Sequence, residues 1–275
     1  MNNMIKKNYV KNIFHKIVKK FFLIFCNIIS INKPTMFLGT SYGGWYFISP
    51  IKNKYLTVVS AGVGEDISFD IEFINAFNSK IILIDPTPRA IAHVESVMVN
   101  LGTKKSQEYN LNSGKQPIES YELSNITKDN FVLIKKALYN KTGLTVKFFL
   151  PQNHKHVSHS ISNFQNNYKT NTDYIKVQTI SVIDVMKENN LKQIDLLKLD
   201  IEGAENHVLP DMVKKKIFPD QILVEFDELS TNFVRPFFKA IVIFIKLLFN
   251  DYELIKTNNF PNYLFKRKIR SYNQS

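Results

Sequence analysis

One cysteine, Cys26, stands in the 275 residues, so the chain can form no disulfide within itself. No paired Cys/His spacing offers a structural zinc site. Both absences fit a reducing, cytosolic setting. Acidic residues are missing from positions 1–32, which hold six lysines (Lys6, Lys7, Lys11, Lys16, Lys19 and Lys20). Bilayer-spanning length is missing as well, since a spanning helix needs roughly 20 apolar residues. The run Phe21–Ile31 has 11, with Asn27 and Ser30 inside it, and Phe237–Phe249 has 13, with Lys239 and Lys246 inside it. No internal repeat, low-complexity tract or linker divides the rest, and no interleaving of aromatic and basic residues supplies a base-stacking platform for nucleic acid.

What is present is enough apolar material for a core: 44% hydrophobic and 13% aromatic residues. The formal net charge is +12, and the first 32 residues supply half of it, so the body is only mildly basic. Within that arm Val10, Ile13, Phe14, Ile17, Val18, Phe21 and Phe22 recur at helical spacing, with lysines on the intervening face. The arm is open to three readings: an interfacial helix on a membrane, a helix docked on the protein's own core, or an export signal lacking a cleavage site. The expected organisation is a basic amphipathic arm, 1–32, followed by one domain, 33–275. The expected location is the cytosol, or the inner face of a membrane.

The body alternates. KYLTVVSAG is a β-branched run ending at a glycine turn, and DISFDIEFINAF continues with helical spacing. KIILID is a second buried strand, broken by PTP before RAIAHVESVMVN. FVLIKKAL, QIDLLKLD and QILVEFDE add three more strands, Phe237–Phe249 reads as a core helix, and NDYELIKTNNFPNYLFKRK reads as two short strands around an Asn/Pro turn. Strands separated by helices imply an α/β fold with a mainly parallel sheet and right-handed crossovers. Ligands of such sheets sit beyond the carboxyl ends of the strands. The turn 62–66, Asp85, Asp200 and Asp227 all fall there and are expected to converge on one cleft.

In SAGVGED, Gly62 and Gly64 permit a tight turn and close approach to a ligand, and Asp85 follows 21 residues after Gly64, where a carboxylate can accept the hydroxyls of an adenosine ribose. A dinucleotide fingerprint would have a third glycine where Ile67 stands, and bare amides where Glu65 and Asp66 stand. Two carboxylates repel a pyrophosphate but suit a sulfonium and an ammonium group. S-adenosylmethionine carries both.

LLKLDIEGAENHVL places Lys198, Asp200, Glu202 and Glu205 at the end of an otherwise apolar strand, where three acids are costly without a purpose. Together with SAGVGEDISFD and IDPTP, the segment KLDIEGAE resembles the FkbM-type methyltransferases, whose mark is a K-x-D-x-E-G-x-E run. ALYNKTG and HVSHSI are similar to further family segments, and the likeness covers roughly residues 40–267. It implies a Rossmann-like class I methyltransferase fold, with a seven-stranded sheet whose C-terminal strand is antiparallel, and methyl transfer to an oxygen of a sugar, glycan, glycolipid or other small-molecule acceptor. It also implies that Gly62, Val63, Gly64, Glu65 and Asp66 surround the methionine part of the cofactor. Asp85 then holds the ribose, and Pro86 and Ala137 wall the adenine.

A sugar hydroxyl needs a base within hydrogen-bond reach. Asp200 or Glu202 is expected to serve, with His156 and His159 as alternatives, Lys198 pairing with one of the acids, and no metal taking part. Two other functions remain: a nicotinamide-dependent sugar oxidoreductase, which Ile67 disfavours, and a non-enzymatic module held on membrane or nucleic acid by the basic arm.

Overall fold

The computed structural model of the chain describes residues 2–49, 54–111, 113–152, 158–166, 168–230, 234–257 and 259–268. A long helix, α1 (Asn2–Ile29), leads into a hairpin of β1 (Met36–Leu38) and β2 (Trp45–Phe47). Then come β3 (Leu56–Ala61), α2 (Ser68–Phe77), β4 (Ser79–Ile84), α3 (Pro88–Val99) and β5 (Phe131–Ile134). After β5 the chain forms β6 (Ala137–Tyr139), β7 (Thr145–Phe149), β8 (Tyr174–Ser181) and α4 (Val182–Glu188). It closes with β9 (Leu196–Leu199), α5 (Glu205–Lys214), β10 (Gln221–Glu225), α6 (Val234–Leu248), β11 (Tyr252–Ile255) and β12 (Asn262–Arg267).

Seven strands make one sheet in the order β11-β12-β10-β9-β3-β4-β5. β3, β4, β5, β9 and β10 pair in parallel, and β12 runs antiparallel to both of its neighbours. Side chains alternate between the two faces, as the period of a strand requires. Val59, Ile82, Leu197 and Ile222 pack with α4, α5 and α6, whereas Val58, Ile81, Leu196 and Leu223 pack with α2, α3 and β2. The register aligns Ala61 with both Ile84 and Leu199, and Leu199 with Val224. Gly62, Asp85, Asp200 and Glu225, the next residue along each strand, therefore share one rim.

One sequence expectation changes. FVLIKKAL is not one strand: β5 ends at Ile134, and β6 leaves for a separate three-stranded sheet, β6-β8-β7, because residues 137–139 find their backbone partners at 179–181. The arm, in turn, docks on the core with only part of its apolar face. Val18, Phe22, Cys26 and Ile29 turn inward onto the core, Phe22 meeting Phe237 and Phe244 at ring distances of 6.2 and 5.2 Å, while Ile17 and Phe21 point outward. The side chains of Val10, Ile13 and Phe14 lie outside the described residues. Among the described residues no helix is long and apolar enough to cross a membrane.

On the buried face of α3, His93 bonds the Tyr121 hydroxyl at 2.9 Å, and burial, only partly offset by the field of Glu65, pushes its pKa from 6.5 down to about 4. The native state holds it neutral while the unfolded chain protonates near pH 6.5, so its contribution is present above pH 6.5 and is lost as pH falls toward 4. Urea titrations of wild type and His93→Gln between these limits should show a stability difference that shrinks by up to about 3 kcal/mol on acidification. Parallel curves would show that His93 does not titrate this way.

Candidate active site

A single cavity at the carboxyl rim of the sheet is lined by Gly62, Val63, Gly64, Glu65, Asp66, Asp85, Pro86, Ala137, His159, Asp200 and Glu202. Eleven of the residues singled out in the sequence are thus brought together. His156 lies outside the described residues. Asp227 does not line the cavity; it lies close enough to Glu202 and Glu225 to feel their charge. Burial raises Asp227 well above the usual carboxylate range, with Glu202 and Glu225 adding to the effect.

The glycine turn is built by crowding. Gly62 has φ +75°, and a Cβ there would stand 1.6 Å from the Asp200 carbonyl oxygen, so glycine alone lets β3 and β9 end this close together. Gly64 has φ +58° but faces open space, with nothing within 4 Å of a hypothetical Cβ. Gly62→Ala should therefore cost about 3 kcal/mol or more in urea unfolding, and Gly64→Ala only about 1 kcal/mol. Equal costs would mean that the contact at Gly62 is relieved by movement.

Asp85 is more occupied than its expected role suggests. Its Oδ2 accepts the amides of Val63 and Gly64, both at 3.1 Å, and its Oδ1 accepts the Thr87 amide at 2.8 Å and the Thr87 hydroxyl at 2.7 Å. These four bonds fill the carboxylate's lone-pair directions and pin the glycine turn to the end of β4. Glu65 is also committed: Arg89 and Lys115 pair with it at 2.5 and 3.3 Å. Of the two carboxylates read as suited to a cationic ligand, Glu65 thus already has cationic partners. Asp66, in contrast, is buried and, among the described residues, hydrogen-bonded only to neutral donors, the Thr40 hydroxyl at 2.6 Å, the Ser68 amide at 3.0 Å and the Gln116 amide at 3.2 Å.

Lys198 differs as well. It lies on the Leu196 face of the sheet, its Nζ 3.4 Å from the Gly62 carbonyl and 5.6 Å from the Trp45 ring centre, and makes no contact ion pair with Asp200 or Glu202. Its field still opposes the rise in pKa that burial imposes on Asp200.

Glu202 adopts φ +55°, a conformation rare outside glycine, in the turn between β9 and α5. The Ser160 hydroxyl bonds its carbonyl at 2.7 Å, and Gln165 Nε2 bonds its carboxyl at 2.7 Å. Burial, reinforced by the charge of Asp200, pushes its pKa up to about 7. Neighbouring Glu225 is pushed up to about 8, again by burial first and Asp200 second.

The opposite wall is apolar: Pro86, Ala137, Leu138, Phe148 and Ile161, with the His159 ring stacked on Phe148 at 5.7 Å and 21°. Sequence reasoning passed over Tyr42, which also lines the cavity. The 40–44 turn lies over Asp66, where a Cβ on Gly43 would come within 2.7 Å of the carboxyl carbon, and burial and the surrounding acids raise the Tyr42 phenol pKa.

A seven-stranded sheet with a glycine turn and an acid on adjacent strand ends is shared by several enzyme classes, but the match to a family model is specific. Residues 49–254 match the methyltransferase FkbM domain. The chain belongs to the FkbM methyltransferase family. No curated protein and no solved structure matches it. The matched span contains every cavity residue named above except the 40–44 turn, and it leaves α1 and the β1-β2 hairpin outside.

Proposed function

We propose that this FkbM-family chain is an S-adenosylmethionine-dependent O-methyltransferase acting on a hydroxyl of a sugar, glycan or glycolipid. The observation that carries the reading is the shared cavity: the 62–66 turn and Asp85 open onto the same space as Asp200 and Glu202. The cavity's chemistry fits the cofactor. Asp66 has no cationic partner among the described residues and would hold an ammonium group; Gly64 leaves room beside it; Pro86, Ala137, Leu138 and Phe148 offer an apolar slot for adenine. Of the four donors on Asp85, only the Thr87 hydroxyl can rotate away without moving the backbone, so a ribose hydroxyl would replace that bond. A nicotinamide dinucleotide fits less well, because Ile67 is fully buried where close helix packing would need glycine, and Asp66 would face the pyrophosphate.

When bound, the cofactor supplies a methyl group already activated by a sulfonium. The chain's own task is to orient the acceptor oxygen and take its proton. Glu202 is the base this reading favours, held by Gln165 and poised near neutral pH. Beyond the 160–162 and 201–204 loops, a second cavity of about 550 Å³ is lined by Tyr168, Asn206, His207, Glu228 and Lys239 together with Val234 and Pro236, which offer an acceptor both hydrogen-bonding groups and an apolar face.

The test is incubation of the purified chain with methyl-labelled cofactor and a panel of sugars, oligosaccharides and glycolipids, followed by mass spectrometry. Label on a hydroxyl oxygen is expected; label confined to amines or carboxylates would contradict the proposal.

A further inference from the structure

The apolar face of α1 is wider than the core covers. The inward side is used by the core. On the outward side Ile17, Phe21, Ile24 and Ile28 form a stripe at spacings of four, three and four, and they are exposed by 48, 66, 46 and 75%. α6, in ring contact with α1 through Phe22, carries a stripe of its own: Phe238, Val242 and Phe249 are 40, 63 and 85% exposed. Scattered exposed apolar residues need no explanation, but two stripes on touching helices do.

The charge carried by the two helices has one sign. Neither helix contains an acidic residue. Lys16 and Lys20 are exposed on α1 beside the stripe, Lys19 lies over the Phe260 ring at 5.0 Å, and Lys239 and Lys246 are on α6. A second copy of the chain would set lysines against lysines. A nucleic acid would meet the lysines but leave the Phe and Ile side chains without a partner. An anionic lipid surface satisfies both, with apolar side chains entering the acyl boundary and ammonium groups meeting headgroup phosphates. α1 is too polar to cross a bilayer, which leaves it lying in the surface plane.

We propose that the outward face of α1, with the adjoining stripe of α6, docks the protein on an anionic membrane surface. The proposal stands independently of the methyl-transfer reading. It is tested by co-sedimentation of the full-length protein with vesicles of phosphatidylcholine alone or of equal parts phosphatidylcholine and phosphatidylglycerol, with light scattering on the same samples. Partitioning on the order of 100-fold stronger to the anionic vesicles is expected, declining with added salt.

The triple variant Phe21→Ser, Ile24→Asn, Ile28→Asn should lose on the order of tenfold in partitioning, and Lys16→Glu with Lys20→Glu should lose the anionic preference. Both should keep the wild-type circular dichroism spectrum and melting temperature, since the altered side chains point away from the core. The proposal is overturned by equal or absent binding to the two vesicles, or by a triple variant that folds and binds as wild type does. It is likewise overturned if wild type proves to be a dimer that the triple variant converts to monomer, which would make a second copy the occupant.

Discussion

Replacing Asp85 with alanine is expected to weaken binding of S-adenosylhomocysteine about 100-fold in calorimetric titration. Two effects act together. The variant removes a charged acceptor for the ribose, where hydrogen bonds to charged groups contribute about 1.5–3 kcal/mol each, and it unpins the Val63 and Gly64 amides that shape the turn. Thr87→Val separates them. It frees Oδ1 of Asp85 for the ribose while leaving the amide bonds to Oδ2 intact, so it should bind at least as tightly as wild type. Affinity within threefold of wild type for Asp85→Ala would show that the carboxylate serves only the loop.

Glu202→Gln is expected to lower turnover by roughly 10²–10⁴-fold while leaving S-adenosylhomocysteine affinity nearly unchanged, the behaviour of a lost proton acceptor. The sign of the pH dependence follows from its raised pKa. Only the ionised carboxylate accepts a proton, so wild-type kcat/KM should rise with pH through about 7 and then level, and the variant should lose that rise. Asp200, Glu202, Glu225 and Asp227 lie within one another's field, so the apparent value belongs to the group of carboxyls. If His159→Gln abolished the rise and Glu202→Gln did not, the proton would go to the imidazole.

The strand ends were legible because apolar β-branched runs stop at glycine or acid, and parallel pairing then brings those ends to one rim whatever the loops do. Asp85, Asp200 and the 62–66 turn are together for that reason. What periodicity cannot report is which distant group completes a contact. Glu65 is neutralised by Arg89, 24 residues on, and by Lys115, and Asp66 is bonded by Thr40 and Gln116; nothing in SAGVGED announces any of the four. Tyr42 escaped notice for the same reason, being carried over the cavity by a hairpin that Phe47 seats on Phe69 and Phe73 of α2. In α1 the doubled phenylalanines Phe21 and Phe22 fit either face of a helix, and only the partners Phe237 and Phe244 decide that Phe22 is the inward one.

The central claim is that the 62–66 turn, Asp66 and Asp85 grip the adenosylated methionine skeleton. Titration of the wild-type chain with S-adenosylhomocysteine, run beside an identical titration with NAD, tests it most directly. Saturable one-to-one binding of the first and none of the second is the predicted result. Heat from NAD alone, or from neither, would contradict it.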